Sequence, residues 1–194
     1  MTQPWNLNPV LSEDRLNRLA RVFLDVYYGV HELLSTEDDC NYGRGALIFA
    51  RSRQRLINLA LSGQCSWLKV TNPGMDVTLE IDGVPFRFFR DDHDTPKKKG
   101  FWRRNDSDQL FASDDATPVL FRFIVENPVQ EDDEPEIYFL GFNAQGVQVF
   151  DWRYGHVPVM HVVDDETPGA VKMEPAQVGL PKSHVEVLDA GREK

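Results

Sequence analysis

The stretch Met75 to Arg90, MDVTLEIDGVPFRFFR, decides the fold. It alternates apolar with polar residues, it is rich in β-branched and aromatic side chains, and Asp82-Gly83 sits at its middle. A two-residue type I′ loop needs positive φ at both positions, which Asp-Gly accepts at little cost, so the stretch reads as a β-hairpin.

Working outward toward the C-terminus, Pro118 to Glu126 (PVLFRFIVE) reads as a further strand. Glu136 to Phe142 and Val147 to Trp152 flank Asn143-Ala144-Gln145-Gly146 and predict a second hairpin. Val157 to Val163 is expected to be a last strand. Strands begin near residue 67, and about six or seven are expected. Consecutive hairpins predict a mostly antiparallel sheet.

Toward the N-terminus the periodicity changes. Leu16, Leu19, Ala20, Phe23, Val26, Tyr27, Val30, Leu33 and Leu34 recur at three-and-four spacing. This predicts an amphipathic helix over about 12–34, with Ser12 as its cap. A second helix is expected over about 44–61, closed by Ser62-Gly63. Projected at about 100° per residue, Phe49, Ala50, Leu56, Ile57, Ala60 and Leu61 share its apolar face, and Arg44, Arg51, Arg55 and Asn58 share the other. Arg53 falls on the apolar side, so it is expected to be more buried than Arg51 and Arg55, and either to be paired or to let its head escape at the edge. Helices first and strands after define an α+β fold, with the two helices covering one face of the sheet. Residues 1–163 are expected to form the single domain. Residues 164–194, broken by Pro168, Pro175 and Pro181, are expected to be an extended or partly disordered tail.

The chain of 194 residues carries a net charge of −10, unevenly placed. Residues 1–43 sum to −4, residues 44–104 to +6 and residues 105–194 to −12. Such asymmetry points to a charged partner or to faces of opposite potential. Met1 to Pro9 lacks a basic stretch followed by an apolar one, so a cytoplasmic protein is expected, with Cys40 and Cys65 as reduced thiols. No apolar run is long enough to span a bilayer, and no membrane association is expected.

Several chemistries leave no trace in the sequence. The chain has no P-loop, no Gly-x-Ser-x-Gly, no His-Glu-x-x-His and no Cys-x-x-Cys. Gly43-Arg44-Gly45 opens a dinucleotide fingerprint, but Ile48 stands at the third glycine and no strand precedes it. No acidic residue stands two before a lysine, which disfavours the carboxylate–x–lysine arrangement of metal-dependent nucleases. Asp91-Asp92-His93-Asp94 has the oxygen-rich character of a divalent-cation loop, but Lys97, Lys98 and Lys99 follow and compete for its carboxylates. No metal and no cofactor are expected.

The strongest positive feature is the basic segment in which Lys97, Lys98, Lys99, Arg103 and Arg104 bracket Phe101 and Trp102. Arginine and lysine contact phosphates or carboxylates, and aromatic rings stack on bases or fill a partner's pocket. Arg44, Arg51 and Arg55 extend this patch if the polar face of the second helix lies beside it. Glu131, Asp132, Asp133 and Glu134 form the opposite pole, an acidic docking loop. The leading expectation is a non-enzymatic partner-binding or regulatory protein, of an inhibitor, antitoxin or immunity type in a bacterial system. Its expected partner is a protein with a charged surface, with nucleic acid second and self-association third. The alternative is a small phosphate-substrate enzyme such as a nuclease-type toxin, combining the 97–104 loop with His31, His93 or His156.

Overall fold

A computed structural model describes residues 2–103, 116–128 and 134–155. A short helix α1 (Pro4–Leu7) precedes α2 (Glu13–Leu33) and α3 (Asn41–Leu61). Six strands follow: β1 (Leu68–Asn72), β2 (Thr78–Ile81), β3 (Val84–Phe89), β4 (Leu120–Glu126), β5 (Glu136–Phe142) and β6 (Gln148–Arg153). They lie in one sheet in sequence order. The expected α+β architecture is therefore what the chain adopts. The predicted strand over 157–163 and the predicted tail lie outside the described residues.

The deciding hairpin forms as expected. Asp82 and Gly83 have φ of 44° and 88°, and Ile81 pairs with Val84 across the turn. Arg15 of α2 ties the turn to the helix layer, donating to Asp82 Oδ2 at 2.7 Å and to the Val10 carbonyl at 2.9 Å. Gly83→Val places a β-branched residue at positive φ, and the expected cost is about 1–2 kcal/mol. Urea unfolding measures it, and Gly83→Asn should retain most of the stability because asparagine tolerates that backbone.

The stripe predicted on the first helix is the one buried: Leu16, Leu19, Ala20, Phe23, Val26, Tyr27 and Val30 face the sheet. The second helix departs from the prediction in two ways. It begins at Asn41, where the Cys40 Sγ accepts from the Gly43 N–H at 3.5 Å. Its buried stripe is Ile48, Ser52, Leu56 and Ile57, whereas Ala50 and Leu61 are exposed. The face is rotated because the helix must meet both α2 and the sheet. Arg53 is half-buried while Arg51 and Arg55 are exposed, as expected. Its guanidinium donates to the carbonyls of Pro73 and Gly74, pinning the β1–β2 loop to α3.

The sheet is antiparallel except at one junction, where β3 and β4 run parallel with Phe86 opposite Phe121 and Phe88 opposite Phe123. A parallel pair cannot be joined by a tight turn, so β3 and β4 need a crossover connection, of which residues 90–103 and 116–119 are described. The helices cover one face as expected, and the structure adds a second apolar face that the two-layer reading does not include. On the helix side, Phe23 packs against Phe88 and Phe123 among the inward residues of β2 to β6. On the other side a second core of Phe101, Leu120, Ile124, Tyr138, Leu140 and Phe142 is closed by the crossover. Buried Arg122 clamps that segment: Nε donates to the Phe101 carbonyl and Nη2 to the Arg103 carbonyl, both at 2.8 Å. β4 is consequently buried on both faces along almost its whole length. Among the described residues no helix is long and apolar enough to cross a membrane.

Candidate functional site

Phe101 is fully buried and cannot stack on a base. The rest of the basic segment is distributed around that anchor. The backbone N–H groups of Lys97 and Lys98 donate to Asp91 Oδ2 at 2.8 and 2.7 Å, which folds the loop into a turn. Trp102 is half-exposed, with its ring 4.9 Å from that of Phe142. Arg103 pairs with Asp76 of the β1–β2 loop. Arg104 lies outside the described residues.

Lys98 and Lys99 line a cavity of about 470 Å³. It exists because β2 pairs with β3 only as far as Leu79–Phe86, while β3 runs on to Phe89. The first turns of α3 and the β1–β2 loop wall the gap. Arg87 and Arg90 join the two lysines in the lining, and Asp76 is the carboxylate there. Arg87 is tied to β2, its Nε donating to Thr78 Oγ1 at 3.1 Å. Arg90 Nε donates to Asn127 Oδ1 at 2.7 Å. Burial pushes the Arg90 guanidinium below its ordinary value, which signals a desolvated cation. The exposed side chains of Tyr42 and Met75 stand at the mouth.

Arg51 and Arg55 do not extend this patch. They line a separate cavity of about 380 Å³ with Asp25 of α2, and Arg55 lies 3.8 Å from that carboxylate. Arg44 is also diverted, its Nε donating to the Leu34 carbonyl at the end of α2 at 2.9 Å. The continuous basic face expected from helical projection is thus split between two cavities.

His93 lines a third cavity, of about 750 Å³, together with Glu126, Glu134, Glu136 and Arg153. Its ring stacks on Tyr138 at 3.9 Å, and its Nδ1 lies 2.5 Å from Glu126 Oε2. Asp92, His93 and Glu126 bring ligand-type atoms within 4.8 Å of one another. Asp92 and His93 are adjacent in the sequence, whereas Glu126 arrives from the end of β4 and is not visible as their neighbour there. The local acids are engaged with backbone, since Asp92 Oδ1 accepts from the N–H groups of Asp94 and Thr95 at 2.9 and 2.8 Å. The Tyr138 hydroxyl donates to Glu136, and burial together with that bond pushes the phenol above its ordinary value. Of the predicted acidic loop, Glu134 lines this cavity, and Glu131, Asp132 and Asp133 lie outside the described residues.

His31 sits apart, stacked on Tyr27 with ring centroids 4.3 Å apart. Its Nε2 is buried without a hydrogen-bond partner. Burial, followed by the nearby Arg44 and Arg90, pushes its imidazole below the ordinary value. The unfolded chain therefore takes up the proton first, and stability should be lost as pH falls below about 6.5. His31→Phe should flatten that slope in urea unfolding between pH 7 and 5.5, within the window set by the imidazole's ordinary pKa of about 6.5; an unchanged slope would assign it to other groups.

Among the described residues, neither His31 nor His93 lines the basic cavity. His156 lies outside them. Comparison with known proteins finds no matching family, no matching curated protein and no matching solved structure.

Proposed function

We propose that this chain is a non-enzymatic partner-binding or regulatory protein, of the inhibitor, antitoxin or immunity type in a bacterial system. Its working surface is the face around the basic cavity. The observation that supports this reading is the mouth of that cavity, where Tyr42 is 86% and Met75 76% exposed beside Lys98 and Lys99. Exposed tyrosine and methionine are enriched in protein interfaces and costly to leave in water together. Flanking lysines speed and orient the approach of an acidic surface. Neither His31 nor His93 lines the cavity, which favours capture over phosphoryl chemistry.

Native mass spectrometry of the protein drawn from its own cells tests the reading. A stoichiometric protein companion should be present at low salt and lost as salt rises, because exposed charge pairs are screened. Lys98→Glu combined with Lys99→Glu should abolish it at low salt. A bare chain, or one carrying nucleic acid, would overturn the proposal.

A further inference from the structure

We propose that the basic cavity is also a binding site for a small anionic amphiphile: one carboxylate, phosphate or sulfonate head on an apolar body. This goes beyond the partner reading and rests on the cavity alone. At about 470 Å³ the space falls within the range of small-ligand pockets, about 300–1,000 Å³. Its walls divide by chemistry. Phe49, Val77, Phe88 and Phe89 supply apolar surface, and Arg90, Lys98 and Lys99 supply positive charge.

Arg90 is the centre of the site. It is half-buried, and its side chain donates to the neutral amide of Asn127. Among the described residues no carboxylate pairs with it, nor with Lys98 or Lys99. The one acid in the lining, Asp76, is engaged by Arg103. A desolvated guanidinium without a counter-charge is unfavourable, and an entering anion relieves it. The guanidinium also offers several donors in a fixed fork that suits a carboxylate or phosphate. The helix wall contributes in the same sense, since the first turn of α3 carries no acidic residue.

Gly45 shows that room has been made for this arginine. A Cβ there would stand 2.4 Å from Arg90 Nη1. Glycine is the poorest ordinary helix former inside a helix, so its presence in α3 weakens the helix. What it provides is a notch in which the guanidinium lies against the helix backbone at the cavity wall.

The test uses two probes that share an apolar body. Anilinonaphthalene sulfonate carries an anionic head, and phenylnaphthylamine is its uncharged counterpart. Fluorescence titration of the full chain should show saturable binding of the sulfonate at one site per chain. The uncharged probe should bind about tenfold more weakly, the loss expected for one hydrogen-bonded charge. Arg90→Met should reduce the sulfonate's affinity to that of the uncharged probe. Gly45→Ala should do the same by displacing the guanidinium, while melting no lower than the wild type. That second variant keeps the test valid if Arg90→Met misfolds. Equal affinity for the two probes, unsaturable adsorption, or wild-type affinity in a folded Gly45→Ala variant would overturn the proposal. No protein partner enters this experiment, so its failure leaves the partner reading standing, and loss of the partner reading leaves this site standing.

Discussion

Gly141→Ala is expected to destabilise the protein by about 3 kcal/mol, the upper end of ordinary overpacking. Gly141 lies in β5 directly opposite Phe150 of β6, on the face that meets the helices. The Phe150 ring covers the glycine so closely that an added Cβ would fall 2.1 Å from Cε1 and 2.6 Å from both Cδ1 and Cζ. Those are ring atoms of a residue only 1% exposed, not the free end of a flexible chain. The ring has little room to move, because it also packs against Phe139 at 5.7 Å and Phe121 at 6.2 Å. Backbone strain plays no part, since Gly141 is not at positive φ. Alanine would even be the better strand residue were the ring absent. The clash is therefore specific to one pair, and a double-mutant cycle exposes it. Phe150→Leu alone should cost stability. Combined with Gly141→Ala it should cost clearly less than the sum of the two single changes, as read by urea unfolding. Strict additivity would mean that the glycine is needed for some other reason.

The same glycine shows where sequence reading stops. Patterning identified β5 and β6 and their hairpin, because alternation and turn residues are local properties. Nothing local says which aromatic will lie over Gly141, since that depends on the register between strands. The helices divide in the same way. The first was read correctly from periodicity, because one long stripe from Leu16 to Val30 meets one surface. In α3 the apolar residues are spread more widely around the helix, and the choice between burying Ile48 with Ser52 or Ala50 with Leu61 was made by the packing of α2 and the sheet.

The crossover leaves a trace in the sequence. In LFRFIV of β4 the alternation fails, and apolar residues stand on both faces around Arg122. An unbroken run of this kind marks a strand covered on both sides, typical of a parallel pairing. Something had to cover the second face, and among the described residues between β3 and β4 it is Phe101 that does so, with Trp102 beside it. Their place among lysines and arginines suggests exposed aromatics, and composition alone cannot distinguish an anchor from a docking residue. For the candidate site, Lys98 and Lys99 were within reach of the sequence. Arg90, Gly45 and the gap beyond β2 were not, because they converge only through sheet register and the placement of α3.

Phe101→Ala carries that distinction to its second large effect, an expected loss of about 3–4 kcal/mol. A base-stacking or partner-binding aromatic would leave the stability of the free chain nearly unchanged on truncation. Phe101 instead fills the second core, with its ring 5.3 Å from Phe89 and 5.7 Å from Phe142. The Arg122 guanidinium lies 5.9 Å from its ring centroid and also donates to its carbonyl. Removing the ring empties a site enclosed by β4, β5 and the crossover itself, and the crossover is the wall least able to close the void while keeping its hydrogen bonds to Arg122. Hydrogen exchange should therefore show amides around residues 97–103 losing protection by more than those of α2 or the β5–β6 hairpin. Lys98 and Lys99 belong to this segment, so the variant should also weaken sulfonate-probe binding at temperatures where the rest of the domain stays folded. Full stability with unchanged exchange would return Phe101 to the surface role that its basic neighbours suggest. A uniform rise in exchange across the whole domain would show that the second face folds as one unit with the first.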